Sequence, residues 1–248
     1  TIDAAINATT ATQGDKILVL EGHTETITTA AGIAQDVAGV EIIGLGNGEA
    51  RPRITFSTLT TASWAISADN CTVKNIIGVA GVNALANPFN VTGANCHLDI
   101  EWQDASATVE AARAVLVTDV NGGSAKIRYR GFIAGDTTAN AIRLNNVGYY
   151  RIDIDAYGRV DATGWVEFVT ALCDDVVVTG QAYSSGVTNQ SRLVVDTITG
   201  SLWSARIFDG SVGAYASGGS GAAIALDDVS SVVASIGTGT DASTGTIA

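Results

Sequence analysis

The chain has 248 residues, 13 basic against 25 acidic side chains and a formal net charge of −12. Charged residues are 15% against a usual ~25%, while apolar residues reach 46% and glycine fills 28 positions, which excludes a disordered chain. The acidic balance excludes wrapping of nucleic acid, no apolar run approaches the ~20 residues of a membrane span, and three cysteines do not make a disulfide scaffold.

Residues 1–13 read as a capping helix. Ile2, Ala5, Ile6 and Thr9 recur at i, i+3, i+4, i+7 spacing and form one apolar face. Gly14-Asp15 ends it. The chain holds no methionine and begins at Thr1, so the native N-terminus is expected upstream.

Residues 14–236 consist of apolar segments of three to six residues, rich in Val and Ile and bounded by Gly, Asn and Asp, which is strand chemistry. A composite unit recurs: Ala65-Ile66-Ser67, Asp69-Asn70, Cys71-Thr72-Val73 returns as Asn90-Val91-Thr92, Ala94-Asn95, Cys96-His97-Leu98. The first inward residues are expected to be Leu18, Ile42, Val73, Leu98, Ile127, Ile152, Val176, Trp203 and Val233. Spacing that stays between 24 and 31 residues without locking is the mark of stacked coils that absorb insertions at their turns. The expected fold is all-β, a single-stranded right-handed parallel β-helix of about nine coils. No amphipathic helix long enough for a doubly wound sheet follows residue 13. Ala214 to Gly221 reads as a loop excursion, and residues 237–248, almost all small or polar, as a flexible end or tether.

Asn70 and Asn95 fall at the same phase of successive coils, with Asn121 and Asn146 loosely following, and asparagine tolerates the left-handed backbone of a tight turn. A turn ladder is therefore expected. Cys71 and Cys96 would stack as core thiols. Trp102, Phe132, Tyr157, Tyr183 and Phe208 recur just past successive strands, as core packing or as an exposed column suited to an interface or to stacking on sugars. Arg128, Arg130, Arg143 and Arg151 form the one basic cluster and read as donors of inter-subunit salt bridges.

No complete catalytic constellation emerges, and no cofactor or metal is called for. Asp174-Asp175 and Asp227-Asp228 sit just before strands, where Asp serves the turn. Asp153-Ile154-Asp155 resembles half a calcium loop, but Gly164 stands where its twelfth-position Glu should be. His97 alternates outward from Cys96 and Leu98 and is expected in solvent, and neither it nor His23 lies in a nucleophile-elbow context.

Thr1-Ile-Asp-Ala-Ala-Ile6, Gly14-Asp-Lys-Ile-Leu-Val-Leu-Glu-Gly22 and Glu25-Thr-Ile27 resemble the opening of pectin-lyase-like right-handed β-helix proteins. The stretch from Asp36 to Phe56, with Gly22–Ile27 and Ala68–Ile76, is similar to β-helix proteins of tailed bacteriophages and prophages encoded among head genes. That similarity spans roughly residues 1–100. It lacks the Gly-His-Gly, Asn-Thr-Asp and Arg-Ile-Lys motifs of polygalacturonases. The resemblance implies a non-enzymatic virion protein on the outer surface of the particle, a capsid decoration, head fibre or turret. Its implied partners are further copies of itself in a homotrimer and the major capsid or another virion protein, with no nucleic acid and no membrane. A tailspike-like protein that binds or degrades a surface glycan is the alternative, and an extracellular bacterial adhesin a third.

Overall fold

Segments of three to five residues with one apolar face cannot bury that face alone, and in this chain each does so on the segment one coil away. The computed structural model describes residues 1–132, 140–158, 164–169, 173, 175–183, 192–196, 203–208 and 223–227, with side chains as far as residue 180. The elements are α1 (Ile2–Ile6), β1 (Lys16–Val19), β2 (Thr24–Ile27), β3 (Ile33–Gln35), β4 (Glu41–Gly44), β5 (Arg53–Phe56), β6 (Trp64–Ile66), β7 (Thr72–Ala80) and β8 (Phe89–Val91). They continue with β9 (Cys96–Gln103), β10 (Arg113–Arg130), β11 (Asn140–Tyr157), β12 (Gly164–Phe168), β13 (Val176–Tyr183), β14 (Arg192–Asp196), β15 (Trp203–Phe208) and β16 (Ala223–Asp227).

Every pairing of named strands is parallel, and the pairings define three lateral faces of a β-solenoid. The first is the ladder β1-β4-β7-β9-β10-β11-β13-β15-β16. The second joins β2 to β5, β5 to the end of β7 and that to the end of β9, and runs on into the ends of β10, β11 and β13. The third stacks β3, β6, β8, the starts of β10 and β11, β12 and β14. Complete turns are fewer than the nine coils expected, because β15 and β16 extend only the first face among the described residues.

Inside the first face, Ile17, Ile42, Val73, Leu98, Ala125, Ile152 and Val178 stand in register. Leu18 is therefore outward and 58% exposed, contrary to expectation. Both alternating sets of Ile17–Leu20 are apolar, so alternation within them does not choose a face there. Ile127 is inward but lies level with Ile100 and Ile154, and Trp203 pairs with Val176. Val233, the 214–221 excursion and the 237–248 tether lie outside the described residues. Under the second face, Phe56, Phe89 and Trp102 cluster with centroids 5.3–6.3 Å apart. Gly78 admits them, since a Cβ there would lie 2.8 Å from both Phe89 and Trp102 ring carbons.

The first coil has an open strand edge, which unprotected invites pairing with another chain. The helix α1 covers it. Ile2 and Ile6 are buried, and Ala5 and Thr9 half-buried, as the spacing predicts. The Asp3 carboxylate accepts from the Ala34 N–H of β3 at 2.9 Å, and Glu25 of β2 accepts from the Ile2 N–H at 2.9 Å. The helix is shorter than residues 1–13: Asn7 caps it, and the Thr9 hydroxyl donates back to the Ile6 carbonyl at 2.7 Å.

Candidate functional site

From β1 to β13, each coil turns onto the first face through a residue with positive φ. These residues stack as Gly14, Gly39, Asn70, Asn95, Gly122, Tyr149 and Asp175, with φ of 72, 80, 59, 54, 78, 52 and 52°. Each stands two residues before a member of the registered row Lys16, Glu41, Thr72, His97, Ser124, Arg151 and Val177. The Asn70 and Asn95 rungs match the sequence reading. Asn121 does not join the ladder; coil length grows there, and the left-handed position falls one residue later, on Gly122. Asn146 belongs to a second corner, with φ 56° beside Asp119 at 55°, and its amide donates to the Asp119 carboxylate at 2.7 Å.

Beyond that corner the outward side chains form a charged grid. Lys74, Asp99, Lys126 and Asp153 share one column, with Ile43 and Leu18 continuing it upstream. The next holds Ile77, Glu101, Arg128, Asp155 and Gln181, and the one after it Val79, Gln103, Arg130, Tyr157 and Tyr183. The loop before β5 and the first residue of β5 reach over this surface: Arg51 donates to the nearly buried Glu101 at 2.7 Å, and Arg53 to Gln103 at 3.0 Å. A hollow of about 40 Å³ lies between Arg51, Asp99, Lys126, Arg128, Asp153 and Asp155.

The arginines expected to reach another subunit mostly find partners in their own chain. Arg128 meets Glu101 at 3.3 Å and Asp155 at 3.6 Å, and Arg130 meets Asp155 at 2.6 Å. Arg143 lies on the third face, where it shares the buried Glu167 with Asn140 at 2.6 Å each. Arg151 alone of the four is exposed with no ion pair among the described residues.

The five aromatics do not form one column. Trp102 is fully buried, in register with Tyr129 and Ala156, and donates its indole N–H to Asp104. It shares the inward parity of Cys96, Leu98 and Ile100, and parity decides the face. Phe132 and Tyr157 are 40% and 41% exposed. Tyr183 is registered on Tyr157, while Phe208 follows Ile207, the partner of Gly180; the side chains of both lie outside the described residues. Cys71, Cys96 and Cys173 are free and buried. The Cys71 sulfur and then burial push the Cys96 thiol up, which keeps it protonated in the core.

His97 is exposed, as its outward phase predicts, and its Nδ1 lies 2.9 Å from the Ser124 hydroxyl. Only register reveals this pair, because the residues are 27 apart in sequence. Among the described residues no carboxylate is hydrogen-bonded to the other ring nitrogen, so the pair lacks the group that orients the base in a nucleophilic site. Nor do the described residues bring three metal-ligating side chains together.

Burial works to raise the Glu101 carboxyl, but Arg51, Gln103 and Arg128 together hold it below its ordinary value, and Lys16 and then Lys74 do the same for Glu41. A depressed carboxyl contributes stability that is present above its unfolded pKa of about 4.3 and lost as pH falls through the folded value. The melting temperature is therefore expected to drop on acidification below about pH 4.3. Replacing Glu101 with glutamine should make that dependence shallower, which melts at stepped pH would measure.

No family model matches the chain, and comparisons with curated proteins and with solved structures likewise find no match.

Proposed function

We propose that this chain is a rigid, non-enzymatic β-helix module on the outer surface of a tailed-phage particle, as a capsid decoration, head fibre or turret. Its partners would be the major capsid or another virion protein and further copies of itself. The virion assignment rests on the resemblance of residues 1–100. The observation that carries the mechanical role is the neutralisation of the lateral face within the chain. Arg51, Arg128 and Arg130 are engaged by Glu101 and Asp155 across coils, tying the charged columns together along the rod.

A glycan-processing reading draws on one row. Asp153, Asp155 and Tyr157 point outward from a single strand beside the hollow. Glycosidic cleavage needs two carboxylates facing each other across an open cleft. Here Asp155 is held by Arg130, and a hollow of about 40 Å³ is water-sized rather than sugar-sized. The mechanical reading is therefore preferred.

Peptide mass spectrometry on density-banded particles, against the particle-free supernatant, tests it. Co-banding at fixed stoichiometry to the major capsid protein is the expected result. Presence in the supernatant alone would overturn it and direct attention to glycan binding.

A further inference from the structure

The left-handed corner column holds one anomaly. Six of its seven positions carry Gly, Asn or Asp, the residues that accept positive φ at little cost. The seventh is Tyr149 at φ 52°, and a bulky residue in that region is an outlier. Packing does not explain it, because Tyr149 is 66% exposed and makes no side-chain hydrogen bond among the described residues. A tyrosine that neither backbone nor core requires is held where it can touch something outside the fold.

Two residues along the strand stands Arg151, also exposed and without an ion pair among the described residues, on a chain of net charge −12. Asp153 is the next outward residue of that row, likewise exposed and without an ion pair among the described residues. Tyrosine and arginine dominate the energetic centres of protein interfaces. A two-fold axis passing between Arg151 and Asp153 would set each arginine against the other copy's aspartate, making two equal contacts at once.

We infer that Tyr149, Arg151 and Asp153 form a self-association surface at the corner of the first face, occupied by a second copy of this chain. Charge complementarity selects that occupant: the row carries both signs side by side, and neither Arg151 nor Asp153 makes an ion pair among the described residues. The inference does not depend on the virion reading, which fails or stands on particle composition.

Sedimentation velocity of the full chain over a concentration series, at low and high salt, tests it. Association is expected, weakened by salt because salt screens the attraction between the exposed charges that bring the two copies together. Tyr149→Asn should weaken it at least tenfold while leaving the melting temperature unchanged or higher, since asparagine suits the left-handed corner. Arg151→Glu and Asp153→Arg should each weaken it, and mixing those two variants should restore it. A 25.2 kDa monomer throughout, association indifferent to all three substitutions, or a Tyr149→Asn protein that melts lower would each overturn the inference.

Discussion

Gly123→Ala is expected to destabilise the fold by about 3–5 kcal/mol, lowering the melting temperature by roughly 10 °C. Two effects combine. Gly123 has φ 123°, a backbone that L side chains rarely adopt, and an added Cβ would stand 2.5 Å from the Cys96 carbonyl oxygen and 2.9 Å from the Tyr150 ring. In register, Cys96, Gly123 and Tyr150 occupy successive coils. The absence of a side chain at 123 is what lets the buried Tyr150 ring lie across that rung. The ring cannot retreat, because Tyr150 is 1% exposed and surrounded by core. Gly14→Ala is the matched control. Gly14 has φ 72°, and a Cβ there meets nothing within 4 Å, so only the backbone term remains, about 1 kcal/mol. Thermal and denaturant melts of the two variants measure the difference. Equal losses would show that the crowding between coils carries no weight.

The same position shows how far the sequence could be read. The step from Asn70 to Asn95 repeats a unit of constant length, so the corner they share is legible from spacing alone. One coil later the length changes, and Asn121 lies one residue short of the corner that Gly122 occupies. The Gly122-Gly123 pair was the available signal, since adjacent glycines mark a backbone that other residues resist. Strand faces were legible wherever apolar and polar residues alternate, as in His97, Leu98 and Asp99, and illegible at Ile17-Leu18-Val19-Leu20, where both faces are apolar. The charged grid was least accessible. Which acid lies beside Arg128 depends on the lengths of the two adjoining coils, and a one-residue error at either turn would replace Glu101 or Asp155 with an inward neighbour. The surface proposed for self-association was hidden for a related reason. Tyr149 is conspicuous only once its φ and its place in the corner column are known.

Asp104→Ala is expected to cost a comparable amount, about 3–5 kcal/mol, through unsatisfied donors rather than crowding. Asp104 is 6% exposed, and its carboxylate accepts from the Trp102 indole at 2.9 Å, the Tyr129 hydroxyl at 2.7 Å and the Ala111 N–H at 3.1 Å. All three donors belong to residues that are fully buried, so none can turn to water when the carboxylate goes. The group also ties β9 and β10 to the segment that enters β10, so its loss loosens a corner as well as a bond. Asp104→Asn should be milder, about 1–2 kcal/mol. Its amide oxygen can keep the two donors that now share Oδ1, and the Tyr129 hydroxyl can reverse to accept from the new NH₂. That reversal makes the network testable against simple packing. Tyr129→Phe removes the one donor able to adapt, so combining it with Asp104→Asn should give a loss that departs from the sum of the single losses by 0.5 kcal/mol or more, roughly the usual signature of partners in one network. Additive melts would mean that Asp104 acts on each donor separately, and that the corner is held by its apolar contacts instead.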